Sequence, residues 1–415
     1  MHNIAITGCG PAGLSAAIFL HDEGHSVSLY ERFEEPKPVG SGLMLQPTGL
    51  QVLGNLGLRA EAEALGQRVD GMLGKIAPDG KVVLDINYQV LSPDLYGVAI
   101  HRASLFHVLY EAVKLRSIPV VTGCDIKGII HKGEKVSLSS TTDSEEFDLI
   151  VDATGGQSRL LQQASKKPKH RLLDYGALWG TVSYDAAQFN AALLEQRYKA
   201  ANVMVGVLPC GTLPGSDTQV ATFFWSLRND AYQKTVLGGI DKWKREVLTH
   251  WPAVEPLLAQ FDGFDQLAHA TYSHHTLPVP YGKNIAFIGD AAHSTSPQLG
   301  QGANMALLDS LALSSALATA DSIGAALALY AKMRRGHVRF FQAASWSLTP
   351  FYQSENKVLP WLRDFMFEPV SKIPFADKIV TSLGAGLLGS PNKKIAKLGL
   401  LKNAVTQQYD QTDKI

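Results

Sequence analysis

At 415 residues, 46% of them hydrophobic and 18% charged, the chain can bury a sizeable core and is long enough for more than one domain. Its 38 basic and 38 acidic side chains cancel, which argues against the basic face that a nucleic-acid partner requires. Three widely spaced cysteines, Cys9, Cys124 and Cys210, argue against a disulfide framework or a zinc site. No run of about twenty apolar residues suggests a membrane span, and Met1 leads into an apolar strand with neither a basic segment nor a cleavage signal, so a cytoplasmic location is expected.

The first element is a buried strand at residues 4–7. Gly8-Cys9-Gly10-Pro11-Ala12-Gly13 follows and opens a helix over residues 14–23, which Gly24 closes. The next strand, residues 26–30, ends on Glu31. This is a complete βαβ unit, the setting in which a glycine fingerprint carries weight. Gly8 permits the tight turn, Gly10 lets backbone N–H groups reach a pyrophosphate, and Gly13 lets the helix sit close to the strand. The positive helix end favours the phosphate charge, and Glu31 can accept hydrogen bonds from an adenosine ribose. The acid disfavours a 2′-phosphate, so the dinucleotide is FAD or NAD. Cys9 reads as a small filler residue.

Residues 38–47 form a glycine-rich loop leading into a helix at 48–56, and such loops usually serve a ligand. Asp79-Gly80 reads as a hairpin turn between strands 73–77 and 81–86. A strand at 98–102 delivers Arg102 to the start of helix 103–115, where it can neutralise a phosphate. Strands at 120–122, 126–131 and 135–139 suggest a small meander. Strand 147–152 ends in Ala153-Thr154-Gly155-Gly156, a second glycine turn. Strands 177–183, 204–209 and 219–227 with helices 185–200 and 239–248 suggest a mixed-sheet region. Strand 285–288 then ends in Gly289-Asp290-Ala291-Ala292-His293, a loop carries Pro297, and Gly300-Gln301-Gly302-Ala303-Asn304 enters an apolar helix at 305–320. A strand that delivers an acid and then a helix N-terminus suits a polar, partly anionic ligand. Helix 325–341 follows. Pro350, Pro360, Pro369 and Pro374 break the remainder into short helices, and residues 379–401, with Lys393, Lys394 and Lys397, read as a solvated face.

Gly8–Gly13 with Glu31, the loop to Pro47, Arg102, and Gly289 to Asn304 together resemble the FAD-dependent aromatic hydroxylases of the para-hydroxybenzoate hydroxylase type, over residues 1 to about 341. The resemblance implies an α/β, three-layer, Rossmann-like FAD-binding domain with a parallel sheet and a β-meander, an inserted α+β substrate domain with a mixed sheet, and a C-terminal helical tail. The expected boundaries are 1–72, 98–176 and 272–345 for FAD, 73–97 and 177–271 for substrate, and 346–415 for the tail. The implied FAD contacts are Gly8, Gly10, Pro11, Ala12, Gly13, Glu31, Arg32, Gly42, Leu43, Gln46, Arg102, Gly155, Gly289, Asp290, Pro297, Gly300, Gln301, Gly302, Ala303 and Asn304. Asp290 would serve the ribityl and ribose side and Pro297 to Gly302 the ring face. The end of the late helix would stabilise the reduced ring's charge.

The implied reaction is reduction of FAD by NADH or NADPH, addition of O2 to give a C4a-hydroperoxyflavin, and hydroxylation of a small aromatic or heteroaromatic substrate by a monomer or homodimer. No metal is implied. Trp179, Phe223, Trp225, Tyr272 and Pro297 are candidate substrate contacts. His274 and His275 are weak candidates for a base. Two departures stand out: Thr154-Gly155 replaces the family's Asp-Gly pair, with Asp152 two positions earlier, and Ser294 replaces a common proline. The first leaves the route of electrons open and keeps a halogenase, dehydrogenase or prenyl reductase as the alternative. The Trp-x-Trp-x-Ile-Pro signature of the halogenases is absent. A non-catalytic flavin sensor is the third reading.

Overall fold

The computed structural model describes residues 1–37, 40–139, 145–185, 188–371, 373 and 375–389. A six-stranded sheet runs in the order Tyr281–Gly282, Ile285–Phe287, Leu149–Asp152, Asn3–Thr7, Ser26–Tyr30, Val120–Val121. All neighbours are parallel except the first pair. Ile4, Ala5 and Ile6 are fully buried because both faces are covered, which is why the strand reads as an unbroken apolar run. Ile4 and Ile6 point to the helical layer with Leu14, Leu109 and Leu307. Ala5 points to the opposite layer, where Val136, Leu138 and Phe147 come from the hairpin Gly128–Lys132/Lys135–Ser139 and the segment after it.

The helices Pro11–Asp22 and Gly302–Thr319 are apolar nearly all round and lie side by side. Their contact is made by small residues: Ser15 Oγ donates to Ser310 Oγ at 2.8 Å, which brings the two backbones close. The first helix therefore carries the N-terminal glycine loop, and the second carries the late one, to the same end of the sheet.

A second, eight-stranded sheet has the order His293–Ser294, Ala268–Thr276, Arg171–Ser183, Gln219–Arg228, Val203–Thr212, Leu193–Lys199, Gly71–Ile76, Val82–Asn87. One face packs under the helix Ile240–His250, around Phe223, Trp225, Trp243 and Phe261. A three-stranded sheet, Gly42–Leu45, Gly97–His101 and Gln67–Val69, joins the two bodies. Gly42 N–H donates to Thr222 Oγ1 at 2.7 Å, and His101 Nε2 lies 3.0 Å from Thr181 Oγ1.

Several elements differ from the sequence-based expectation. The expected helix 185–200 is the strand Leu193–Lys199, pairing parallel with Gly71–Ile76. Its helix-forming Ala, Leu, Glu and Gln residues are overridden by pairing on both sides, with Val203–Thr212 and Gly71–Ile76; Gly74 leaves room for the Tyr198 ring and Arg197 stacks over Trp251 at 4.2 Å. Val120–Val121 joins the parallel sheet, not the meander. The loop expected at 38–47 contains the strand Gly42–Leu45; its residues 38 and 39 lie outside the described residues. Pro350 does not break the chain but sits in the last turns of a 30-residue helix, Ile323–Tyr352. Pro360 falls in the first turn of Val358–Ser371, where the missing N–H is harmless. Ala376–Gly384 is the last described helix. Pro374 and most of the expected lysine-bearing segment, with Lys393, Lys394 and Lys397, lie outside the described residues. Among the described residues no helix is long and apolar enough to cross a membrane.

Candidate active site

The C-terminal ends of the parallel strands bring the two glycine loops together. Gly8 takes φ +96° and turns the chain against Ala153; a Cβ on it would lie 2.7 Å from the Ala153 carbonyl oxygen. A Cβ on Gly13 would lie 1.9 Å from Gly8 O, so helix and turn touch directly. A Cβ on Gly10 would meet no atom within 4 Å. Gly8 and Gly13 are closed by protein, while Gly10, the N-cap of the helix that begins at Pro11, opens outward. Glu31 is buried, with Oε2 accepting Cys9 N–H at 2.8 Å and Oε1 accepting Phe33 N–H at 3.2 Å. It fastens the second strand to the loop and retains lone pairs for a ligand. Burial and then Glu31's charge push the Cys9 thiol up to about 12, so it is inert. Arg32 is exposed and stacks over Phe33 at 4.6 Å.

On the late loop, Gly289 adopts φ +60° and packs against Ala12, so the two loops meet directly. Asp290 is exposed, and its Oδ1 lies 4.0 Å from where a Gly302 Cβ would be, at the mouth of the helix Gly302–Thr319. Pro297–Leu299 form one tight turn, and Gly300 (φ +59°) redirects the chain into that helix. Arg102 is exposed at the start of Arg102–Leu115, with its Cδ 2.9 Å from a Cβ placed on Gly40.

Three expected contacts are already engaged by the protein. The Asn304 side chain accepts Gln46 N–H (2.8 Å) and donates to Met44 O and Gly300 O (3.0 Å each), clamping the helix entrance to the strand Gly42–Leu45. Gln301 Nε2 donates to Gly384 O at 2.8 Å, tying the loop before Gly302 to the C-terminal helix. Gly42 presses on Cys210, whose Sγ would lie 2.3 Å from a Cβ there. Leu43 is half-buried beside the core.

Sequence reasoning misses a buried charge cluster behind these loops. Asp309 accepts Gly289 N–H (2.8 Å) and pairs with His293 Nε2 (2.6 Å) and Arg334 Nε (2.5 Å). Arg334 Nη1 lies 3.2 Å from His337 Nδ1, and His337 Nε2 lies 3.3 Å from Gly386 O. Burial alone would raise the Asp309 carboxyl, but His293 and Arg334 outweigh it and hold it below the usual range. The signal in the sequence is a lone acid inside an apolar helix, which demands a buried partner.

Asp152 is fully buried and consumed. It accepts from Thr154 N–H (3.0 Å), Thr154 Oγ1 (2.7 Å), Thr7 Oγ1 (3.4 Å) and Ser158 Oγ. Burial raises its carboxyl, opposed by these bonds. Thr154 thus caps its own strand end, and Gly155 turns the chain with φ +89°.

Strand alternation divides the substrate candidates. Phe223 and Trp225 are corrected: both point into the helix-covered core, with Phe223 edge-on to Trp243 and Trp225 stacked on His250. Trp179 and Tyr272 share the other face, where Trp179 Nε1 donates to Tyr272 OH at 2.7 Å. The overlooked Phe224 lies on that face too, 4.7 Å from Trp179. His275 turns away, stacking on His170 with Nε2 3.3 Å from Ala291 O. His274 accepts Ser296 N–H at 3.4 Å, beside the hydroxyl chain of Ser296, Ser345 and Thr349. Burial lowers both histidines, so each is neutral near pH 7.

The residues present fit a flavin. Ser41 Oγ and Gln46 Nε2 are buried without a partner, and Gln46 Nε2 lies 3.6 Å from where a Gly300 Cβ would be, beside the turn Pro297–Leu299. Tyr88 OH holds the same amide's oxygen at 2.5 Å, which leaves the N–H2 for something else.

Residues 1–339 match the family described as FAD binding domain. The chain belongs to the FAD-dependent aromatic hydroxylase family. It is 26% identical to aurachin C monooxygenase/isomerase of Stigmatella aurantiaca, covering 89% of this chain and 94% of that one. It is 29% identical to the FAD-dependent urate hydroxylase of Mycolicibacterium vanbaalenii, covering 80% and 84%. Among solved structures, Klebsiella pneumoniae HpxO complexed with FAD and uric acid superposes with a TM-score of 0.79 at 20% identity, covering 94% of this chain and 98% of that one. Family members of this kind are oxidoreductases, and this chain is an FAD-dependent monooxygenase.

Proposed function

We propose that this hydroxylase uses NADH or NADPH and O2 to hydroxylate a small aromatic or heteroaromatic molecule held between the flavin ring and the face bearing Trp179, Phe224 and Tyr272. The observation that carries the reading is the buried, unpartnered Gln46 amide beside the Pro297–Gly300 turn. Reduced FAD, when bound, would supply the two electrons that activate O2, and O2 would supply the oxygen atom transferred. The chain supplies position and environment. The Gly10 backbone and the helix end behind it receive the pyrophosphate, Glu31 the adenosine ribose, and Asp290 the hydroxyls of the ribityl chain. Arg102 offsets phosphate charge. The N-terminus of Gly302–Thr319 favours negative charge on the reduced ring.

Trp179, Phe224 and Tyr272 bind the substrate ring and exclude water. His274, neutral and next to Ser296, is better placed than His275 to hold a substrate proton. The nearby Asp152 is consumed by Thr154 and Ser158, so no free acid stands at that turn; this favours, as a second reading, a flavin reaction whose electrons do not come directly from a nicotinamide.

One experiment tests both. The purified protein should be yellow, and its oxidation of NADH or NADPH in air should accelerate when small aromatics are added. A colourless protein that takes up no added FAD would refute the reading. Bound flavin that no reduced nicotinamide bleaches would favour the second.

A further inference from the structure

Outside the flavin cradle, a cavity of about 390 Å³ lies between the segment running from Thr276 to Tyr281 and the outer side of the helix Ile323–Tyr352. Its size falls in the range of about 300–1,000 Å³ typical of small-molecule sites. Pro278, Val279, Ala331 and Val338 give it apolar walls, and His293 contributes to its lining. Lys332, Arg335 and Arg339 also line it. Spaced three and four residues apart, they share one side of the helix and are exposed. No acidic side chain lines the cavity, and none of the three forms an ion pair among the described residues. In a chain whose charges balance overall, this leaves three adjacent cations unneutralised at the rim of an apolar hollow. Like charges at this spacing repel one another, and an anion seated among them would remove that cost. The apolar walls below the rim require that the anion carry an apolar body.

We propose that this cavity is a second ligand site, specific for a free amphipathic anion: a medium-length apolar chain or ring system carrying one carboxylate or phosphate head. The apolar body lies against Val279, Ala331 and Val338, and the head is held by Lys332, Arg335 and Arg339. The site is separate from the residues that hold the flavin and the aromatic substrate.

Calorimetric titration of the FAD-loaded enzyme with decanoate and with decyl phosphate tests the assignment, with decanol and decyltrimethylammonium as the neutral and cationic counterparts. Both anions should bind, and neither counterpart should match them. The exposed charge reversal R335E/R339E should weaken decanoate at least tenfold while leaving flavin content and nicotinamide oxidation unchanged. A331W, which fills the hollow, should weaken both anions. Equal affinity of wild type and R335E/R339E for decanoate would overturn the proposal by locating the binding elsewhere. So would decanol binding as tightly as decanoate. Binding only to phosphatidylglycerol vesicles, with none to free decanoate, would also overturn it and make the rim a membrane-facing patch.

Discussion

Gly10 and Gly13 stand three residues apart in one loop and obey opposite constraints. A side chain at Gly13 collides with Gly8, whereas one at Gly10 enters open space at φ −74°, which any residue adopts. Gly13→Ala should therefore lower stability by about 1–3 kcal/mol, the usual cost of overpacking, seen as a reduced urea midpoint of the apoprotein. Gly10→Val should leave that midpoint alone and reduce FAD affinity at least tenfold, seen by flavin titration. If both variants lose stability equally, Gly10 is structural. The motif alone names all the glycines of the loop and cannot say which of them faces the ligand, because that depends on Ala153, about 140 residues away in sequence.

At the scale of elements, alternation along Gln219–Arg228 assigns neighbouring aromatics to different jobs. Phe223→Ala empties the core under Ile240–His250 and should cost about 3–5 kcal/mol, measured by denaturant unfolding. Phe224 packs on the other face, against Val83, Tyr198 and Met204; Phe224→Ala should also cost stability but, unlike Phe223→Ala, should change which aromatics accelerate nicotinamide oxidation. Reversed outcomes would mean that the faces are misassigned. A run such as Phe223-Phe224-Trp225 is apolar at every position, so its pattern does not reveal which face holds the core. The helices Pro11–Asp22 and Gly302–Thr319, long apolar runs that each follow a glycine-rich turn, were legible from the residues, as was the hairpin at Asp79-Gly80. The strand Leu193–Lys199 was not, since only its distant partner Gly71–Ile76 makes it a strand. The ion cluster was half visible: Asp309 announces a need, but its partner Arg334 lies on the next helix. Asp309→Asn should destabilise the protein by about 3–5 kcal/mol, because Arg334 is left buried without a counter-charge. A thermal midpoint within a degree or two of wild type would show the pair to be dispensable.

For the whole molecule, the buried histidines set the response to acid. Burial lowers His101, His274, His275 and His337, the last to about 3. As pH falls below about 6.5 the unfolded chain takes up protons on these rings before the folded one does. Their contribution is thus complete above that pH and is lost as pH falls towards the lowered folded values. Asp309, held low, keeps its contribution until stronger acid, and Asp152, raised by burial, works the opposite way at the acid end. The thermal midpoint should be flat from pH 8 to 7 and fall steadily from 6.5 to 4.5. A flat profile down to pH 5 would show that these rings titrate alike in both states.

The link from Gln301 to Gly384, and from His337 to Gly386, has a consequence for handling the protein at the bench. The helix Ala376–Gly384 is anchored to Gln301, at the entrance of the helix Gly302–Thr319, so on the proposed flavin site its attachment should respond to the cofactor. Trypsin should cut at Lys378 sooner in protein stripped of flavin than in the yellow form, making the rate of clipping a gauge of occupancy that needs no substrate. Equal cutting rates would mean that the far end of the chain is indifferent to what the cradle holds.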